Sequence, residues 1–250
     1  MTSSEHLLTD DEVVSFIIRG YHVVETDFPP GFNQAICEEL GRLDENPGDA
    51  ILQRVPQLQQ VYDHPRVCGA LVSLLGEDVQ MNGHRHCHVN RPGTRSQSWH
   101  QDGVNRRTHQ VRTVLAMYYP QDVTPDMGPT VLLPGTHFRN APTDRMATYA
   151  NFREQVVLTV KAGTAAITHY DIWHAASANT SDKTRYMLKF LFSRQSEPAA
   201  PSWRHDPASA ASAERRFTFE KAVACSQSDH YKERGLRREM WNHLLGAGAT

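Results

Sequence analysis

Apolar residues follow two different spacings along the chain. Val13, Val14, Phe16, Ile17 and Ile18 recur at a helical period, and Thr9-Asp10-Asp11-Glu12 ahead of them fits a capping box. Gly20 ends that helix, and residues 21–24 (Tyr-His-Val-Val) read as a short strand. Further helices are predicted over 31–43, after Pro29-Pro30, and over 64–75, closed by Gly76. From about residue 79 the spacing shortens to β-type runs at 79–90, 111–119, 130–133, 155–160, 164–168 and 185–193, most of them bounded by Pro or Gly. The segment 196–207 carries three prolines and reads as a surface connection; helix signals return at 213–223 and 231–245. The pattern predicts a mainly β fold with flanking helices, its strands forming an antiparallel sandwich or barrel. A single domain is expected over 1–250, with a helical part at about 1–78, a β core at about 79–195 and a helical part at about 208–246.

Composition narrows the class without naming the chemistry. With 39% apolar and 22% charged residues and a net charge of −2, the chain reads as an ordinary globular protein with no basic face for nucleic acid. The four cysteines, Cys37, Cys68, Cys87 and Cys225, form no CxxC pair and no disulfide framework. The first residues lack a basic stretch followed by an apolar one, and no apolar run approaches the roughly 18 residues that span a bilayer. A cytoplasmic address, a monomer or homodimer, and no nucleic-acid or membrane partner are therefore expected.

The candidate chemistry lies in Trp99-His100-Gln101-Asp102. Side chains at i and i+2 of an extended segment share a face, so His100 and Asp102 are able to converge on one cation. His174, 72 residues beyond Asp102, is the best third ligand. Two imidazoles and a carboxylate on one face of an octahedron leave positions open, the facial triad of non-haem iron(II) oxygenases. A His and an Asp two apart also arise by chance as a surface pair in a turn, so the motif depends on its company. Arg185, eleven residues after His174, opens an apolar strand and is suited to gripping a carboxylate with two parallel hydrogen bonds. The plainer alternative is an Arg pairing with surface Asp182. Asn179-Thr180-Ser181-Asp182 reads as a turn between two strands, with Asn179 structural.

Taken together, Trp99-His100-Gln101-Asp102, then Met127-Gly128-Pro129-Thr130 leading to Pro134-Gly135-Thr136-His137, then His174 with Asn179, Ser181 and Arg185, resemble the phytanoyl-CoA dioxygenase family over about residues 10–195. The resemblance implies a double-stranded β-helix (jelly-roll, cupin-like) core, with Fe(II), 2-oxoglutarate as cosubstrate, and O2. It implies His100, Asp102 and His174 as catalytic metal ligands and Arg185 as the anchor for the distal carboxylate of 2-oxoglutarate. Gln97 and Thr130 occupy positions similar to further cosubstrate contacts. The chain departs from the family at Ala176, where many members carry a Ser as a second anchor, and Arg91 stands where the family has a Lys before Pro-Gly. Related halogenases have a small residue at the position of Asp102, so the aspartate implies hydroxylation, with desaturation or ring formation open. The expected products are succinate, CO2 and an oxidised small molecule.

The substrate is less legible. Asn82, His84, His86, His88 and Asn90 alternate along one run, which reads equally as a polar cavity wall, a solvated outer face or a supplementary metal cluster. Arg106, Arg107, His109 and Arg112 follow the ligand pair and favour a polar or anionic small molecule. The competing function is a cupin-type metal-binding or sensing protein without turnover. Arg185 discriminates, because a plain metal binder has no need of it.

Overall fold

The computed structural model describes residues 3–103, 109–139, 151–222 and 226–246. Helix α1, Asp10–Arg19, begins at a capping box: Thr9 Oγ1 accepts from the Glu12 amide and the Glu12 carboxylate accepts from the Thr9 amide. It ends at Gly20, whose φ of 82° suits the left-handed cap. Strand β1, Tyr21–Glu25, and helix α2, Phe32–Gly41, follow. Two short helices, α3 (Ile51–Arg54) and α4 (Gln57–Tyr62), precede α5 (Pro65–Leu75), where Pro65 takes the first helical position behind the His64 cap.

The strands are β2 (Gln80–Asn90), β3 (Thr113–Tyr119), β4 (Thr130–Leu133), β5 (Val156–Val157), β6 (Thr164–His169), β7 (Trp173–Ala176) and β8 (Arg185–Ser193). They form a five-stranded antiparallel sheet in the order β1-β6-β3-β8-β2 and a smaller sheet in the order β5-β4-β7. Helices α6 (Pro207–Phe219) and α7 (Gln227–Leu245) complete the described chain. This is the mainly β architecture with flanking helices and a jelly-roll core that the sequence predicts.

Both faces of the large sheet are covered, which explains its nearly continuous apolar runs. On β3, Val114, Ala116 and Tyr118 join the core shared with the helices, whereas Leu115, Met117 and Tyr119 face the smaller sheet. On β8, Leu188, Phe190 and Phe192 take the helical side, with Tyr62 of α4 stacked on Phe190 at 4.3 Å. That alternation turns Arg185, Met187 and Lys189 towards the interior between the sheets, where all three are buried.

Three differences from the sequence pattern have physical causes. Strand β7 was not anticipated, because four residues beside Tyr170-Asp171 are too few to display a period. The two short helices α3 and α4 form against the sheet and carry no strong periodic signal of their own. In β2 the alternation breaks: pairing with β8 jumps from Met81↔Phe192 to Arg85↔Phe190, and His84 has a φ of 88°. The shared face therefore runs only through His86, His88 and Asn90, opposite Lys189, Met187 and Arg185.

The connection 196–207 is more than a surface loop, since Trp203 in it is buried. Its indole donates to Asp10 Oδ1 at 2.7 Å, His205 Nδ1 meets the same oxygen at 2.8 Å, and the Asp206 amide donates to Asp10 Oδ2 at 2.9 Å. A single buried carboxylate thus fastens α1 to the start of α6. Asp10→Ala leaves the buried Trp203 indole and two part-buried donors without this acceptor and is expected to lower stability by about 2 kcal/mol, read by denaturant unfolding.

Candidate active site

The smaller sheet continues past β7 into the segment that carries the His-x-Asp pair. His100 and His174 form an antiparallel bridge, the His100 amide donating to His174 O at 3.0 Å and the His174 amide to His100 O at 2.8 Å. The Gln97 amide donates to Ala176 O at 2.9 Å, extending the same pairing. Residues far apart in the chain are so placed opposite each other, with imidazole centroids 4.4 Å apart. Past Gln101 the chain bends, and Asp102 turns its Oδ2 to within 3.6 Å of His174 Nε2.

Both imidazoles are oriented by backbone carbonyls. His100 Nδ1 lies 2.8 Å from Ser98 O, and His174 Nδ1 lies 3.1 Å from Ile172 O. Donation from Nδ1 fixes the tautomer and leaves Nε2 bare as a ligand atom. Burial holds the His174 imidazole down to about 4, against the pull of Asp102, so it is neutral and able to coordinate at neutral pH. Burial works against ionisation of Asp102, but His174 and Lys189 beside it outweigh that and keep its carboxyl below the ordinary value. One donor atom from each of His100, Asp102 and His174 lies within 4.8 Å of the others. Among the described residues this is the only such cluster of three His, Cys, Asp or Glu donors, so the histidines of β2 do not make a second one.

His100 and His174 open into a cavity of about 100 Å³ whose lining includes His88, Asn90, Gln97, Thr130, Arg185 and Lys189. Arg185 is buried and pairs with a backbone carbonyl, not with Asp182: its Nη2 donates to Gly128 O at 2.7 Å. Among the described residues, its Nε and Nη1 have no hydrogen-bond partner. Burial pulls the Arg185 guanidinium below its ordinary value, opposed by neighbouring Tyr119. The Thr130 and Tyr119 hydroxyls are buried beside each other without any other partner, and Asn90 Oδ1 and His88 Nε2 are also unpaired. Buried polar atoms are normally satisfied, so the open guanidinium donors of Arg185 and the Thr130 hydroxyl in one cavity describe a seat for an anion.

Of the residues singled out in the sequence for metal or cosubstrate binding, His100, His174, Arg185, Gln97 and Thr130 line this one cavity, with Gln97 at its exposed rim and Thr130 deep inside, and Asp102 reaches it through His174 and Lys189. Ala176 lines it too and contributes no hydroxyl. Arg91 does not line it; it borders a separate groove with Asp44 and Glu45. Asn179 is buried and ties the turn before β8 to β2, its amide donating to Asn90 O and Lys183 O, both at 2.8 Å. Arg106 and Arg107 lie outside the described residues. Two participants went unread in the sequence. Tyr119 closes an apolar strand and gives no sign that its hydroxyl lies beside Thr130. Lys189 follows Arg185 by four residues, so counting in twos from Arg185 would have turned it inward.

A family model described as phytanoyl-CoA dioxygenase matches residues 5–187. Uncharacterized proteins of Mycobacterium bovis and Mycobacterium tuberculosis are 31% identical over 103 residues, 41% of this chain, and the match spans 37% of their length. Among solved structures, HygX from Streptomyces hygroscopicus, with nickel and 2-oxoglutarate bound, superposes with a TM-score of 0.64 at 15% identity, covering 79% of this chain and 90% of its own. The non-haem α-ketoglutarate-dependent carbocyclase SnoK from nogalamycin biosynthesis gives 0.57 at 22% identity, over 78% of this chain and 87% of SnoK. The epimerase SnoN, in complex with Fe3+, α-ketoglutarate and nogalamycin RO, gives 0.60 at 17% identity, over 74% and 83%. With the family match spanning most of its length, the chain belongs to the phytanoyl-CoA dioxygenase family of Fe(II)- and 2-oxoglutarate-dependent oxygenases.

Proposed function

We propose that this protein, acting as one domain, oxidises a C–H bond of a polar small molecule, by hydroxylation, with release of succinate and CO2. The observation that carries the reading is the buried Arg185 guanidinium, with two N–H groups unpaired, in the same cavity as His100 and His174. A plain metal-binding cupin has no use for a buried cation without a counter-charge in the cavity beside its metal, and burying one is costly.

In this reading His100 Nε2, Asp102 and His174 Nε2 hold Fe(II). Arg185 takes the distal carboxylate of 2-oxoglutarate, with the Thr130 and Tyr119 hydroxyls as further donors. These hydroxyls stand in for the anchor that Ala176 lacks. Gln97 is within the same cavity and takes the nearer end of the cosubstrate. The iron supplies O2 activation coupled to oxidative decarboxylation of the 2-oxo acid. The protein's share is orientation and exclusion of water: the imidazoles are locked by Ser98 O and Ile172 O, and the guanidinium by Gly128 O. Asp102 fills the coordination position that a halide would need, which favours hydroxylation. The carbocyclase and epimerase among the structural neighbours mark other outcomes of the same fold.

Wild-type protein is expected to convert 2-oxoglutarate to succinate only with Fe(II). Asp102→Ala should abolish turnover, and Arg185→Ala should weaken 2-oxoglutarate binding about 100-fold, as for loss of one partner of a buried charged pair. Normal succinate formation by Arg185→Ala would remove the assigned anchor.

Gly128 gives an independent check on the same guanidinium. Its φ is 68°, and a Cβ there would lie 2.7 Å from Ser177 O and closer still to the Asn90 amide. Gly128→Ala should cost about 2 kcal/mol of stability. Because Gly128 O also holds Arg185, 2-oxoglutarate affinity, measured by titration of the metal-loaded protein, should fall with it.

A further inference from the structure

Lys189 is a buried charged residue of the cavity that the reading above leaves without a task. It is buried on β8, four residues and roughly 13 Å along the strand from Arg185, and its Nζ donates to Asp102 Oδ2 at 2.7 Å. That oxygen is the one that faces His174 Nε2 at 3.6 Å, and so the one a metal held between them would claim. An ammonium and a divalent cation repel each other strongly at such range in a poorly solvated site. Loading the metal therefore strips Lys189 of most of its counter-charge.

Among the described residues the surroundings offer no replacement. His86 stands directly opposite Lys189 on β2, with His84 and His88 beside it. The Nε2 atoms of His84 and His88 are buried and unpaired, so these rings add hydrogen-bonding capacity and no negative charge. Asp49 is engaged elsewhere, accepting from the amides of His84 and Arg85 at 2.7 and 2.8 Å. A buried cation without a partner is unstable, and an anion arriving with a ligand would relieve that.

We propose that Lys189 is a second carboxylate-binding residue of this cavity, holding Asp102 while the metal is absent and an incoming carboxylate once a divalent ion has taken Asp102. The inference rests on the metal and cosubstrate assignment above. Two sources have the required chemistry: the carboxylate of 2-oxoglutarate next to the metal, or an acid group on the substrate, flanked by the imidazoles of β2.

Co(II)-loaded protein, kept anaerobic and followed by its visible spectrum, separates these cases. Wild type, Lys189→Met and Lys189→Arg are each titrated with acetate, with 2-oxoglutarate, and with acetate at saturating 2-oxoglutarate. Lys189→Gln replaces the methionine variant if a thermal melt finds that one unfolded. The inference expects acetate to bind saturably to wild type and to Lys189→Arg, and at least about tenfold more weakly to Lys189→Met. If the cosubstrate is the source, Lys189→Met also loses 2-oxoglutarate affinity, and saturating 2-oxoglutarate blocks acetate. If the substrate is the source, 2-oxoglutarate binding is unchanged by the substitution and acetate binds alongside it. Equal acetate and 2-oxoglutarate binding by wild type and Lys189→Met overturns the inference. Wild type that binds acetate through Lys189 but takes up no 2-oxoglutarate would instead overturn the cosubstrate assignment and leave Lys189 as a carboxylate site.

Discussion

The backbone pairing of His100 with His174 is the constraint on which the rest of the site depends. Two amide–carbonyl hydrogen bonds at 3.0 and 2.8 Å place two imidazoles side by side although 74 residues separate them in sequence. From that bridge the other positions follow. Asp102 swings in two residues later, and the cavity is closed by the large sheet, whose strand β8 directs Arg185 and Lys189 towards it. Ring orientation is then set by carbonyls only two residues away, Ser98 O and Ile172 O. The ligand geometry is therefore encoded locally once the strands have paired, and it resists distortion because the sheet on either side is fully packed.

Electrostatically the cavity is cationic and under-satisfied. Among the described residues, Arg185 has Nη2 tied to Gly128 O with Nε and Nη1 unpaired, and Lys189 is paired only through the Asp102 carboxylate, which a metal here would need. Thr130 and Tyr119 add hydroxyls with no acceptor beyond each other. Charges and donors left open in a buried space are destabilising. They are intelligible as the binding energy of anionic ligands held in reserve, the local conflict expected at a functional site.

Much of this was legible in the sequence, and what was missed had reasons. The capping box at Thr9, the glycine stops, the β core and the i, i+2 geometry of His100 and Asp102 follow from short-range rules. Arg185 was readable because a lone Arg opening an apolar strand calls for an explanation. Strand β7, which delivers His174, was not, since its four residues acquire their conformation from pairing with β4 and with His100. The histidine run on β2 looked like one continuous face; the bulge at His84 divides it, and only Gly83 beside it hinted at that. Trp203 seemed to lie in a surface connection because nothing local announces that Asp10, almost two hundred residues earlier, receives its indole.

The central claim is that one cation and one dicarboxylate fill this cavity together, and an anaerobic crystal structure of the protein with Fe(II) and 2-oxoglutarate tests it most directly. The account predicts a single iron on His100 Nε2, Asp102 and His174 Nε2, chelated by the 2-oxo acid, with the distal carboxylate on Arg185. Iron seated among the histidines of β2, or a cosubstrate whose far carboxylate points away from Arg185, would contradict it.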